Sequence, residues 1–362
     1  MKLLLLIDSL GSGGAQRQIV TLANILHKNN YDVTVLIYHR DLFFKPYLDK
    51  LNINLIIIEE PNLFKRIFKI RKFIRNGRFD SVISFLETPD LINNISSIGG
   101  KSWKVITSER SGNEATFNSK RGKILGFFQR FSDAIVCNSN NARDLWIKYY
   151  PKYKEKMQVI YNPVLLNDIN VEYIPRLNGR TNLIVPASYQ FLKNPIGLIE
   201  AVNMLPSEAQ KKISINWYGQ KEVVKNDFKA FNAAKNLIVK YKLEDVIFLN
   251  DSTTHIHELM FKSDVVGLFS SLEGLPNVIC EALCLGKPIV MTRVSDYKIL
   301  VNSENGFLCN SNDIDSIKNV LINIIKLSDY DLGKFGANSL ERSKNLFSEH
   351  KLYDKWLKII QS

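Results

Sequence analysis

The sequence predicts an α/β protein built from two Rossmann-like, doubly wound domains, and three observations predict it. Short apolar runs rich in Val, Ile, Leu and Phe recur along the chain, most of them separated by helix-like stretches. The alternation pauses at a polar segment, "LLNDINVEYIPRLNGR", and then starts again. At 362 residues the chain is long enough for two domains that each bury a core. Strand and helix in repeated alternation is the pattern of a parallel sheet covered on both faces.

In the first half, "KLLLLI", "DVTVLIYH", "INLIII", "DSVISFL", "WKVIT" and "DAIVCN" read as strands, and "MQVIYNPV" closes the series. In the second half the strands are "TNLIVPAS", "KISINWYG", "DVIFLN", "DVVGLF", "PIVMT" and "GFLC". The expected organisation is a domain over 1–163, a linker over 164–177, a second domain over 178–346 and a closing helix over 347–362. Two such domains leave facing loops at the carboxyl ends of their strands, and the expected site is a central cleft between them.

The first of those loops is "DSLGSGGAQR", where Gly11, Gly13 and Gly14 permit positive φ and close approach to a ligand. It does not fit dinucleotide binding. Gln16 stands where the third glycine or alanine of G-x-G-x-x-G/A belongs, and the second strand ends at Tyr38-His39 instead of a ribose-binding acid.

Other chemistries find little in the composition. The five histidines (His27, His39, His255, His257 and His350) form no triad or metal pattern, and His255 and His257 read as structural. The four cysteines, Cys137, Cys280, Cys284 and Cys309, show no paired framework and read as buried free thiols of a reducing cytoplasm. "MKLLLLIDSL" is too short in its apolar run for a signal peptide, and no stretch approaches a membrane span. Carboxylates, cations and backbone dipoles are left to carry the reaction.

The most informative stretch is "SSLEGLPNVICEALCLGKPIV", Ser270 to Val290. It follows a buried strand; Gly274 and Pro276 mark a turn into a helix, and Gly286 suits the C′ position at its end. Glu273 therefore lies in a strand-to-helix loop and Glu281 inside the helix. Taken alone, Glu281 reads as a solvated helix glutamate, but Val278, Ile279, Ala282 and Leu283 surround it with apolar positions. A carboxylate there can accept hydrogen bonds from vicinal hydroxyls, and the helix N-terminus suits a phosphate. Lys193, in "PASYQFLKNP", follows the first strand of the second half, where it can act as a point charge on a diphosphate.

Together these features resemble the retaining GT-B glycosyltransferases of glycosyltransferase family 4, and the resemblance spans nearly the whole chain. Glu273 and Glu281 match the family's E-x7-E motif in "EGLPNVICEAL…GKP"; "SGGAQR" matches "GGAER", and "LKNP" its phosphate-binding "KN". "VISFLETPD" and "VITSERSGN" resemble strand ends of enzymes that extend lipid-linked bacterial glycans. The resemblance implies a GT-B fold whose closing helix crosses back to the first domain. It implies a nucleotide-sugar donor, expected to be a UDP-hexose or UDP-N-acetylhexosamine, and no metal or other cofactor. Glu281 would hold the ribose hydroxyls and Glu273 would sit beside the donor sugar. Lys193 and the N–H groups near Asn277 and Val278 would stabilise the departing diphosphate. Gly274, Leu275 and Pro276 complete the expected donor turn, with Ser188 and Asn250 beside it and Gly13 and Gly14 on the opposite wall.

One position departs from the pattern. Ser188 stands where the family places a second cation on the diphosphate, and losing such a donor typically costs about 2.7–4 kcal/mol in the transition state. Arg110, in "SERS", or Arg293 is the candidate replacement. Two alternatives to a transferase stay open: a glycosyltransferase-like protein that binds without turnover, and a sugar-nucleotide epimerase.

The net charge of +12 and pI of about 9.3 imply an anionic partner. "NLFKRIFKIRKFIRNGRF" concentrates the charge: Lys65, Arg66, Lys69, Arg71, Lys72 and Arg75 are interrupted by no acid. Phe64, Ile67, Phe68 and Ile74 recur at helical spacing, with Ile70 and Phe73 widening the sector that should pack inward. Such a helix suits an anionic membrane surface, and no module for nucleic acid accompanies it. The expected location is the cytoplasmic side of the membrane, peripherally attached, with a polyprenyl-diphosphate glycan as acceptor.

Overall fold

A computed structural model describes residues 1–110, 112–164, 175–176 and 179–362. The chain divides into unit 1, Met1–Leu165 with Phe347–Ser362, and unit 2, Leu166–Leu346. Most of the expected 164–177 linker lies outside the described residues.

All thirteen sequence-predicted strands are present, most with one to three terminal residues assigned to loop instead. In unit 1 they are β1 (Lys2–Leu6), β2 (Asp32–Ile37), β3 (Asn54–Ile57), β4 (Ser81–Phe85), β5 (Lys104–Glu109), β6 (Ala134–Cys137) and β7 (Met157–Val159). They form one parallel sheet in the order β3-β2-β1-β4-β5-β6-β7. Leu4, Leu6, Leu36 and Val82 pack against Ile70, Ile74 and Ile92 from two helices, Leu63–Asn76 and Glu87–Ser97. The final helix, Glu349–Gln361, belongs to this unit. Its Trp356 stacks on Phe85 with centroids 6.5 Å apart. Burying so large an apolar side chain contributes about 1.5–3 kcal/mol.

Unit 2 holds β8 (Thr181–Pro186), β9 (Ile213–Gly219), β10 (Ile247–Asp251), β11 (Val265–Leu268), β12 (Ile289–Thr292) and β13 (Gly306–Cys309). The sheet is again parallel, in the order β10-β9-β8-β11-β12-β13. Leu183, Val185, Ile213, Ile215 and Trp217 anchor its core. In both sheets the chain first builds outward on one side and then crosses to the other. The switch points are β1/β4 in unit 1 and β8/β11 in unit 2, where loops diverge and leave room for a ligand.

The Leu63–Asn76 helix corrects the expected packing. Ile70 and Ile74 are fully buried, while Phe64 is 80% and Phe68 68% exposed. At 100° per residue they sit about 120° and 160° round the helix from Ile70, beyond the buried stripe. The cations are also not all free for an anionic surface. Arg66 is buried, donating to the Glu60 and Pro61 carbonyls and lying over the Tyr38 ring. Arg71 donates to the carbonyls of Ile95, Ser96 and Ile98, and Arg75 to those of Ser96, Ile98 and Gly100. Both close the C-terminus of the Glu87–Ser97 helix, whose last carbonyls lack intrahelical partners and attract cations. Lys69 pairs with Glu60 at 2.7 Å, and Lys65 and Lys72 are exposed. No helix among the described residues is long and apolar enough to cross a membrane.

Candidate active site

At the unit 2 switch point, the loops after β8 and β11 bring Lys193 and Glu273 together. Lys193 ends a single turn, Phe191–Lys193, and Asn194 follows it at φ 61°, ψ 45°. Asparagine tolerates this left-handed backbone, and its side chain accepts a hydrogen bond from the Gly197 N–H at 3.1 Å, capping the Pro195–Asn203 helix. That cap fixes the end of the Lys193 turn. The Lys193 ammonium then lies 2.6 Å from Glu273 Oε1, which also accepts from the Ser270 hydroxyl at 2.6 Å. The Ser271 N–H donates to the Leu192 carbonyl at 2.8 Å and ties the two loops by backbone.

Beyond the turn, Leu275 and Pro276 are buried, and Pro276 is the N-cap of the Asn277–Cys284 helix. The N–H groups of Asn277 and Val278 thus belong to a first turn, which has no helical carbonyls to bond. The helix ends at Gly286, φ 63°, where the Gly286 and Lys287 N–H groups bond Leu283 and Ala282. This is the Schellman pattern expected of a C′ glycine. The Gly274 carbonyl accepts from the Ser295 hydroxyl.

Glu281 points to a residue that sequence reasoning passed over. Its Oε2 lies 3.2 Å from His257 Nε2, within ion-pair distance but without hydrogen-bond alignment. His257 thus belongs beside the candidate site, whereas His255 pairs with exposed Glu258. Nothing in the local sequence marks the difference, because the contact joins two separate helices, Ile256–Lys262 and Asn277–Cys284. Ser188 accepts a hydrogen bond from Gln190 at 2.8 Å. The next residue, Tyr189, donates to the Asn250 carbonyl at 2.9 Å, which fixes the end of β10 against this loop. Arg293 is exposed and donates to Asn310 at 2.9 Å.

Gly13, Gly14 and Arg110 belong to unit 1. Gly13 caps the Gly14–Lys28 helix at φ −78°, an ordinary conformation, so positive φ is not why a glycine stands there. Gly11 stands close to Asp41: an added Cβ would fall 2.3 Å from its carboxylate. Gln16 donates to Asp8 at 3.0 Å. Arg110 stacks 3.8 Å over the Phe85 ring and donates to Asn162. It lines a pocket of about 310 Å³ at the β1/β4 switch point, with Asp8, Tyr38, Glu87, Glu109 and Arg121. Burial pulls the Arg110 guanidinium below its usual range, and Asp90 opposes that shift. The strings "ETPD" and "SERS" contain two of this pocket's acids, Glu87 and Glu109, but their sequence gives no sign that they converge. Among the described residues, no group of His, Cys, Asp or Glu could hold a metal ion.

Both halves match known proteins. Residues 12–167 match the Glycosyltransferase Family 4 model, and residues 175–339 the Glycosyl transferases group 1 model. A Campylobacter jejuni protein, "GalNAc-alpha-(1->4)-GalNAc-alpha-(1->3)-diNAcBac-PP-undecaprenol alpha-1,4-N-acetyl-D-galactosaminyltransferase", is 25% identical, covering 99% of this chain and 98% of its own. An Escherichia coli "UDP-Gal:alpha-D-GlcNAc-diphosphoundecaprenol alpha-1,3-galactosyltransferase" is also 25% identical, over 86% of this chain and 81% of its own. In fold, the chain superposes on the crystal structure of Anabaena Alr3699/HepE in complex with UDP with a TM-score of 0.85, covering 100% of both chains at 17% identity. With two parallel Rossmann-like sheets and a matching model over each half, this chain belongs to the family 4 glycosyltransferases of GT-B fold.

Proposed function

We propose that the protein transfers a hexose or N-acetylhexosamine from a UDP-sugar to a glycan carried on a polyprenyl diphosphate, with retention at the anomeric carbon and without a metal. The Lys193–Glu273 pair at the β8/β11 switch point carries this reading. It sets a cation and a carboxylate beside the first turn of the Asn277–Cys284 helix. In the reaction, the bond from the anomeric carbon to the diphosphate breaks, one to an acceptor hydroxyl oxygen forms, and the hydroxyl's proton passes to the departing diphosphate. Negative charge grows on the diphosphate, where Lys193 and the helix N–H groups stabilise it more in the transition state than in the ground state. Glu281 holds the ribose hydroxyls and Glu273 orients the donor sugar. The relatives' lipid-linked acceptors and the UDP in the superposed structure support the choice of substrates.

The acceptor's lipid calls for a membrane-facing surface, and we place it on the Leu63–Asn76 helix, at the inner face of the cell membrane. Its exposed Phe64 and Phe68 would enter the interface while Lys65 and Lys72 meet anionic headgroups.

Ser188 favours one second reading, a protein that binds a nucleotide-sugar without turnover. A panel of UDP- and GDP-sugars, read by calorimetry and by product mass with a polyprenyl-diphosphate acceptor, separates the two. Tight UDP-sugar binding with transfer supports the proposal. Binding without transfer favours the second reading, preference for a GDP-sugar overturns the base, and sugar interconversion without acceptor indicates an epimerase.

A further inference from the structure

Glu281 has a neighbour from outside its own motif. The Ile256–Lys262 helix lies on the connection from β10, at the edge of the unit 2 sheet, to β11. That connection passes β9 and β8, and its helix packs on β8, one of the two strands of the switch point. His257 is the second residue of this helix, so it stands in the first turn, toward the strand ends where ligands bind. Glu281 comes from the helix that follows β11. His257 Nε2 and Glu281 Oε2 are 3.2 Å apart, and the side chains are 26% and 13% exposed, so solvent screens them only in part. Nε2 itself is shut off from solvent and makes no hydrogen bond. A buried polar atom in that state is costly and calls for an explanation. Glu281 Oε2 is within reach, and a small rotation of either side chain aligns the two. Bonds at functional sites are often long or misaligned before the ligand arrives and tighten in the complex.

We propose that His257 is a positioning residue for the donor: its Nε2–H bonds Glu281 Oε2 in the complex and turns the carboxylate toward the ribose diol. The proposal rests on the reading that Glu281 holds the ribose hydroxyls. A bare ring nitrogen would repel a carboxylate oxygen, so the contact requires a proton on Nε2, in the neutral ring or the imidazolium. A carboxylate offers about four lone-pair sites, so Nε2–H and two hydroxyls can share it. The two hydroxyls of a ribose stand at a fixed spacing, and the carboxylate meets both in only a narrow range of orientations. A glutamate side chain is costly to order. The imidazole already confines this one, so less freedom is lost when the nucleotide binds. The effect is therefore restricted to nucleotides that carry the vicinal diol. His255, two positions earlier, does not share the role, because it is exposed and pairs with Glu258.

The test is calorimetry on the full chain with UDP and with 2′,3′-dideoxy-UDP, which lacks both ribose hydroxyls. The wild type should bind UDP more tightly than the dideoxy nucleotide. His257→Ala should weaken UDP by about threefold to tenfold, the range of one hydrogen bond, and leave dideoxy-UDP unchanged. A merely structural histidine would weaken both nucleotides alike. His257→Gln, whose amide N–H₂ reaches about as far as Nε2, should recover most of the loss, and the shorter His257→Asn should not. In a Glu281→Ala background, His257→Ala should cost UDP nothing further, since it acts through a carboxylate that is gone. Should His257→Ala fail to fold, His257→Asn takes its place in each comparison. Where the wild type prefers UDP, three results overturn this proposal and leave Glu281 on the ribose. They are undiminished UDP affinity in His257→Ala, equal losses for the two nucleotides, and additive losses in the double variant. A wild type that binds the two nucleotides equally, or binds neither, overturns the ribose reading as well.

Discussion

The Lys193 ammonium and the Glu273 carboxylate meet at 2.6 Å although eighty positions separate them, each on the loop that follows one strand of a topological switch point. The two side chains are 20% and 13% exposed, so solvent screens the pair only in part. Removing Lys193 leaves the carboxylate without its cation and the leaving diphosphate without a charge. Lys193→Ala should lower kcat by an order of magnitude or more, with a smaller change in donor KM, because the charge acts mainly in the transition state. Normal turnover in a folded Lys193→Ala protein would show that this lysine does not serve the leaving group.

Glu281 should act on binding instead. Glu281→Ala removes acceptors for the ribose hydroxyls, and hydrogen bonds to a charged group contribute roughly 1.5–3 kcal/mol. UDP affinity measured by calorimetry should fall by about tenfold or more. His257→Ala, which removes the residue 3.2 Å from that carboxylate, should weaken UDP by less. Equal or greater loss in His257→Ala would put the histidine, not Glu281, on the nucleotide.

These two glutamates were legible in the sequence because the loop and helix around them are written locally: Gly274 and Pro276 open the turn and Gly286 closes the helix. The strands were legible for a similar reason, since Val-, Ile- and Leu-rich runs buried on both faces leave few other readings. The unit 1 pocket was not. Glu87 and Asp90 lie on one helix and Glu109 ends β5, and only the pairing of β4 with β5 brings them together. The basic helix misled in an instructive way. Composition counted six cations for an outside surface, but Arg66, Arg71 and Arg75 bond to backbone carbonyls of this unit, which a one-dimensional charge count cannot reveal.

Those arginines are therefore not the side chains through which this helix would meet a membrane. Arg71 closes a helix terminus, so Arg71→Ala should lower stability without a specific effect on vesicle binding. Phe64→Ser with Phe68→Ser should reduce sedimentation with anionic liposomes by roughly tenfold or more, given about 1.5–3 kcal/mol for each buried aromatic. Lys65→Glu with Lys72→Glu should reduce it further, most at low salt. Undiminished binding in the double phenylalanine variant would remove this helix as the attachment face.

Gly286 offers a test of the scaffold. Its φ of 63° sets the end of the Asn277–Cys284 helix, and a side chain there costs about 1–2 kcal/mol. Gly286→Ala should lower the unfolding midpoint while Gly286→Asn, which tolerates this backbone, lowers it less. The reverse order would mean that the C′ conformation does not limit stability.

The most direct measurement is the anomeric configuration of a product made by the purified chain from a UDP-sugar and a polyprenyl-diphosphate glycan, read by NMR. The account predicts one new glycosidic bond with the donor's configuration, formed by the wild type and reduced at least tenfold in Lys193→Ala. An inverted product, or no transfer from any UDP-sugar to any such acceptor, would contradict it.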